Sequence, residues 1–414
     1  MDADSAQVPT EVDVAIVGGG MVGASLAAAL TGTAVRVLLI ENVPFGEVRQ
    51  PSFDERTTAL GNASRRILGA LGLWDELAQE AGPIRSIHVS DAGHFGFARL
   101  EAREQGLEAF GYVVANRALG AALWKKLSGA AQLTLCVPGR VAALQIADAG
   151  VHLGVAGADG GVREYRARLV VGADGAHSQV RAAAGIGAAI EDYEQVALVA
   201  NVASDQPHGE RAFERFTPHG PLAVLPLHNG TLAVVWACTP ANAQQLLQLD
   251  DAAFLARLQA AFGWRAGRFT RAGTRASYPL RLTRAAAPVA ARTVLIGNAS
   301  QALHPVAGQG FNLGLRDAAM LAEVIAAAPG DAGAPELLQT YAAWRARDRS
   351  GVVRFTDGLV KLFGDARPGI GLLRNLGLLL FDLAPPAKGA LARLSAGFGG
   401  HVPRLARGLP VRRG

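Results

Sequence analysis

The chain has 414 residues, half of them hydrophobic and 18% charged, which is enough to bury a large core and too apolar for a disordered protein. Its 2 cysteines exclude a disulfide framework and a cysteine-rich metal centre, and its 9 histidines show no HExxH-type metal spacing. The net charge of +5 is uneven: no acidic residue follows Asp382, whereas Lys388, Arg393, Arg404, Arg407, Arg412 and Arg413 do.

In chain order, Met1 to Glu11 lacks a basic start followed by an apolar stretch, so no secretory signal is expected. Val12 to Val17 is a short apolar run that reads as a buried parallel strand. Met21 to Leu30 is small and apolar, as in a helix packed on a sheet. Val35 to Ile40 reads as a second buried strand, completing a βαβ unit. Residues 85–112 are mixed and partly alternating, which predicts antiparallel strands. Leu119 to Leu127 is helical in pattern. Leu133 to Asp159 alternates like a meander with a hairpin turn at 157–161, and Leu169 to Ala173 is another buried strand. Strands dominate from Val196 to Trp236. A helix is expected over Asp250 to Phe262, a last buried strand over Thr293 to Gly297 and a helix over Asn312 to Ala328. The remainder reads as helical, broken at Pro368 and Pro385. No run approaches the ~20 apolar residues that span a bilayer. The protein is expected in the cytoplasm.

Three separated segments carry the chemistry. The first is Gly18, Gly20 and Gly23 in GxGxxG spacing, directly after a strand and opening a helix. Such a turn lets a pyrophosphate approach the backbone at the helix N-terminus, where free N–H groups and the dipole favour negative charge. Met21 and Val22 lie inside it. Glu41, ending the second strand, is placed to accept hydrogen bonds from an adenosine ribose. The second segment runs from Gly172 through Asp174 and Gly175 to Ser178 and Arg181. The third runs from Gly297 and Asn298 through His304, Pro305, Gly308, Gln309, Gly310 and Asn312 to Arg316 and Asp317. It is a strand, a glycine-rich loop able to lie against a planar ring, and a long helix.

In this order the three segments resemble the fingerprints of the class A flavoprotein aromatic hydroxylases, over most of the chain to about residue 330. Ser52 to Arg56, His88 to Asp91, Arg211 to Pro221 and Leu303 to Gly314 look most like the ubiquinone-biosynthesis members. The resemblance implies an α/β fold: a Rossmann-like FAD-binding domain (residues 1–84, 113–180 and 285–330), an inserted mainly antiparallel-β substrate domain (85–112 and 181–284) and a helical C-terminal region (331–414). It also implies FAD, with NAD(P)H or another electron donor, and hydroxylation by dioxygen of a polyprenylated phenol (2-polyprenyl-6-methoxyphenol to the 1,4-benzoquinol).

Arg56 and Arg117 match family positions that contact FAD, and Asp174 matches the family's central aspartate. Asn298 stands where the wider family has an aspartate on the ribitol chain, and a common family histidine is Gln301 here. The Pro305–Gly310 loop is expected to face the flavin, and His304 is a candidate to assist phenol deprotonation or a structural residue. Arg211, Glu214, Phe216, His219 and Pro221 are expected on strands covering the substrate pocket. The apolar stretch Ile370 to Phe381 and the basic end suit peripheral membrane contact, a biosynthetic-complex partner, or packing and solubility alone. No nucleic-acid partner is expected. Two other readings remain: a hydroxylase of a small soluble phenol, and an FAD-binding scaffold subunit without turnover.

Overall fold

The computed structural model describes residues 9–45, 56–303, 308–327, 330–364, 382, 388–389, 397 and 400–411. The first sheet has eight strands and a parallel centre. Thr10–Val17 pairs with Val37–Ile40 on one side and Val162–Gly172 on the other, and Leu133–Cys136 and Thr293–Leu295 extend it outward in parallel. These strands are apolar on both faces because helices cover one face and residues such as Val151, Leu153, Val155 and Tyr165 of the antiparallel strands pack on the other. The Met21–Leu30 helix is buried throughout from Gly23 to Leu30, which its small side chains allow. It shares one core with the Asn116–Ser128 and Gln309–Ala327 helices.

Val162–Gly172 is longer than its parallel partners. Its first half forms a hairpin with Gly150–Gly157, which pairs in turn with Gly139–Ala147. The Leu133–Asp159 region is therefore not one meander, because its first strand, Leu133–Cys136, belongs to the parallel edge instead.

The second sheet has nine strands, nearly all antiparallel, and it is built mostly from residues 86–101 and 188–285. Its back is covered by the Pro240–Gln248 and Asp251–Phe262 helices, whose Leu246, Phe254, Leu258 and Phe262 pack on Phe213, Leu222, Val224 and Trp236. Gly111–Ala115, whose first two residues end the 85–112 stretch expected among these strands, forms a separate three-stranded sheet with Thr57–Gly61 and Gly82–Ile84.

The C-terminal region is helical over Pro335–Gly364. Residues 401–411 are instead irregular with one 3-10 turn, Leu405–Arg407, whose Leu405 and Ala406 are fully buried. His401 stacks on Trp344 at 4.0 Å between ring centroids, and the Arg404 amide donates to Glu323 Oε2 at 2.6 Å. This end is part of the core and not only a solubilising tail. Among the described residues no helix is long and apolar enough to cross a membrane. The apolar stretch 370–381 lies outside the described residues.

Candidate active site

The apolar Thr10–Val17 strand delivers the chain into a turn at Gly18, whose φ is +102°. A Cβ there would sit 2.5 Å from the Ala173 carbonyl oxygen, so a side chain is excluded by sterics and by backbone conformation alike. Gly20 differs. It caps the Met21–Leu30 helix in an ordinary extended conformation (φ −62°, ψ 179°) with no side-chain cap. Its backbone does not need glycine, and the first helical amides are left without a capping oxygen. That arrangement fits an incoming anion. Glu41 braces the same loop: Oε2 accepts from the Gly19 amide at 2.6 Å and Oε1 from the Val43 amide at 2.9 Å.

Val22 connects the first segment to the third, since Cβ atoms at Gly297 and Gly314 would lie 3.1 and 2.8 Å from its Cγ2. Met21 and Val22 are both half-buried.

The second segment abuts the first through Ala173 and Asp174. Asp174 Oδ2 accepts from the Gln179 and Val180 amides at 2.7 and 3.2 Å. Its Oδ1 is buried and, among the described residues, has no partner. A carboxylate oxygen withheld from water is costly unless something donates to it, so this atom is an acceptor that a bound hydroxyl or amide could satisfy. Gly175 turns the chain next to it with φ +84°. Ser178 Oγ accepts from the Arg181 amide, and Arg181 then donates to the carbonyls of Ala176 at 2.7 Å and Ala299 at 2.9 Å. One guanidinium thus ties the second segment to the third.

In the third segment Gly297–Ala299 is a tight 3-10 turn with Asn298 exposed. Gly308 lies against Ala59, and Gln309 and Gly310 open the Gln309–Ala327 helix, three residues earlier than its apolar pattern suggests. The Asn312 side chain is saturated by protein. Its Nδ2 donates to Ala59 O and Gly308 O at 2.8 and 2.7 Å, and its Oδ1 accepts from the Gly61 amide and Ser64 Oγ at 2.8 and 2.6 Å. Only its backbone is left for a cofactor. His304 and Pro305 lie outside the described residues.

Arg56 lies over the Tyr278 ring at 4.3 Å, and Arg117 on the Asn116–Ser128 helix donates to Glu80 at 3.3 Å. Of the strand residues, Arg211 and His219 are exposed, Phe216 and Pro221 are buried, and Glu214 is half-buried.

Sequence reasoning missed the support beneath the third segment. Asp317 is fully buried, and its Oδ2 accepts from the Gly297 amide at 3.1 Å and from Gln301 Nε2 at 2.7 Å. Gln301 therefore has a physical role as a neutral donor to a buried carboxylate. Arg345 pairs with Asp317 at 2.6 Å and with Asp348 at 2.5 Å, and Asp348 accepts from Arg316 Nε at 2.8 Å. Burial alone would push the Asp348 carboxyl up, but Arg316 and Arg345 outweigh it and hold the group below the usual range. Burial likewise opposes the charge on Arg345, and its two carboxylate partners more than compensate. Two charged residues, Arg316 and Asp317, on a helix that is buried along this stretch were the available signal.

A family model described as the FAD binding domain matches residues 11–356. The chain is 40% identical to ubiquinone hydroxylase UbiL of Rhodospirillum rubrum, over 96% of this chain and 93% of that protein. It is 36% identical to the 3-demethoxyubiquinol 3-hydroxylase of Escherichia coli, over 91% and 95%. Among solved structures, p-nitrophenol 4-monooxygenase PnpA from Pseudomonas putida DLL-E4 has the same fold, with a TM-score of 0.79 at 20% identity over 95% of this chain and 99% of that one. The probable FAD-dependent monooxygenase pqsL from Pseudomonas aeruginosa superposes with a TM-score of 0.74 at 25% identity, over 89% and 100%. The fold and the three loops define a flavoprotein of the aromatic monooxygenase class. The chain belongs to the FAD binding domain family of FAD-dependent aromatic-ring hydroxylases, and FAD is its cofactor.

Proposed function

We propose that the protein hydroxylates the ring of a polyprenylated phenol in ubiquinone biosynthesis, converting a 2-polyprenyl-6-methoxyphenol to the 1,4-benzoquinol with NAD(P)H as electron donor. The observation that carries this reading is 40% identity to a ubiquinone hydroxylase over nearly the whole of both chains. The name of the Escherichia coli relative favours a second reading, in which a demethoxyubiquinol is hydroxylated at another ring carbon.

FAD, when bound and reduced, supplies an electrophilic oxygen drawn from dioxygen, a chemistry side chains lack. In this proposal Gly18, Gly20, Met21, Val22 and Gly23 cradle the pyrophosphate at the helix N-terminus. Glu41 accepts from the adenosine ribose with lone pairs its two amide bonds leave free. Asp174 Oδ1 accepts from the cofactor, with Gly175 beside it, and Asn298 holds the ribitol hydroxyls. Gly297, Gly308, Gln309, Gly310 and the Asn312 backbone border the ring system together with Pro305. Arg56 and Arg117 close the other side. His304 is a candidate to assist phenol deprotonation or a structural residue. The loops must keep water from the reacting oxygen, since otherwise peroxide is lost to solvent.

A long prenyl tail is scarce in water, so we infer collection from the inner membrane or from a partner of a biosynthetic complex. The test is to remove the gene and identify the quinone precursor that accumulates. A prenylated methoxyphenol lacking one ring oxygen is expected. A demethoxyubiquinol would establish the second reading instead. Normal ubiquinone with no paralogue present would point to a small soluble phenol.

A further inference from the structure

We propose that Glu214 is a catalytic residue, the group in the substrate cleft that holds the phenol hydroxyl and takes its proton. The inference rests on the hydroxylase reading above.

Glu214 lies on the Arg211–Thr217 strand, where successive side chains point to opposite faces. Phe213 faces the helices on the back of the sheet. Ala212, Glu214 and Phe216 therefore face the front. That front meets the cofactor loops at two places. At one end Ala212, Ala233 and Leu225 pack with Ile84, Val113 and Ala59 of the three-stranded sheet, and Ala59 accepts from Asn312. At the other end Tyr278, in register with Ala197, lies under Arg56. Glu214 falls between them. Its cross-strand neighbours are Val89 and Ala223, and beyond Ala223 comes Val235, which packs with Ala197, Ala237 and Leu280. These are small or aliphatic side chains, and the Glu214 carboxyl stands among them on the apolar floor of this face.

Among the described residues no hydrogen bond or ion pair engages that carboxyl. Burial alone pushes its pKa up from 4.5 to about 7. Among the described residues the other titratable groups on this front are Asp91, paired with His94, and Tyr193 and Tyr278, the latter under Arg56, and the Pro335–Gly364 helix, which carries Arg354, packs on the adjoining Gly220–Pro226 strand. Ala59, Ile84 and Val113 on the facing sheet are apolar. A carboxyl without partners among the described residues, set among apolar neighbours between the two places where this face meets the cofactor loops, suits a general base. In the step, the proton moves from the phenol oxygen to a Glu214 oxygen. The O–H bonding pair stays on the phenol oxygen and raises electron density at the ortho and para carbons.

The test uses FAD-loaded enzyme with NADPH and 2-allyl-6-methoxyphenol as a short-tailed probe, comparing wild type, Glu214→Gln and Glu214→Asp. In wild type, kcat/KM should rise with pH and level off above an inflection near 7. Glu214→Gln should lose about 100-fold or more at pH 8, and the inflection with it, while keeping its FAD. Glu214→Asp, which retains a base, should recover part of the rate. A Glu214→Gln enzyme with the wild-type rate, or one slower but with the inflection unmoved, overturns the role of Glu214 and leaves the hydroxylase reading intact. A wild-type holoenzyme that hydroxylates neither this probe nor a long-tailed phenol overturns the hydroxylase reading, and this inference with it.

Discussion

Gly18 and Gly20 are two residues apart in one turn, yet they are glycines for different reasons. Gly18 is forced by φ +102° and the Ala173 carbonyl, whereas Gly20 has backbone angles open to any residue. Gly20→Val should therefore leave the turn's backbone unstrained and still fail to hold FAD, because the new side chain would stand where the phosphates approach. The check is the flavin-to-protein absorbance ratio alongside an unchanged circular dichroism spectrum. A fully yellow variant would remove the phosphates from this turn.

Much of this loop was legible at the residue scale, because GxGxxG between a strand and a helix expresses a local constraint. Asp174 was legible as a cofactor candidate, but not that one oxygen serves the Gln179 and Val180 amides while the other is left for a ligand. Asn312 was legible as part of the loop. That its side chain is consumed by Ala59, Gly61, Ser64 and Gly308 depends on partners some 250 positions away, which no spacing rule reaches.

At the scale of elements, the Gln309–Ala327 helix is held by charges at its centre as well as by its apolar sides. Removing one member of such a buried set leaves its partners uncompensated, at a cost of about 3–5 kcal/mol. Arg345→Leu should therefore lower unfolding free energy by roughly that amount and loosen the Gly297 turn through Asp317. The effect has a pH sign. The Asp348 carboxyl is held below its unfolded value, so its contribution is in place above the ordinary carboxylate range and is lost as pH falls through the folded value. Denaturant titration should show the wild-type and Arg345→Leu curves drawing together on acidification. A constant gap from pH 7 to pH 3 would contradict the ion-pair account. The helix itself was predictable from its apolar pattern. Its salt bridges were not, because Arg345 and Asp348 sit on the next helix, about 30 positions on.

At the scale of the molecule, residues 401–411 return to the core beneath the parallel sheet. Gly397 approaches Arg316, His401 covers Trp344, and Leu405 and Ala406 enter the main core. Cutting the chain after residue 386 should thus cost stability: burial of a single Leu side chain is worth about 1.5–3 kcal/mol. We expect such a truncation to lower the melting temperature and FAD retention together, whatever it does to membrane binding. Reversing the charge of exposed Arg407 is the cleaner probe of lipid contact, and vesicle sedimentation with unchanged melting temperature reads it. A truncated protein as heat-stable as the full chain would show that the buried end contributes nothing.

The parallel sheet also sets an order in time. Its central strands come from the first 40 residues and from Val162–Gly172, but the strand leading into the third loop, Thr293–Leu295, pairs with Val170–Gly172 only after six strands of the nine-stranded sheet, residues 188–285, have intervened. Contacts this distant in sequence form late and slowly. A chain emerging from the ribosome therefore carries the Gly18–Gly23 turn long before it has the glycine-rich loop that follows Thr293–Leu295. Until residue 295 arrives, the half of Val162–Gly172 that will receive Thr293–Leu295 is an open strand edge, available to mispairing and to chaperones. We expect FAD capture to be completed only after the loop beyond residue 295 has been made.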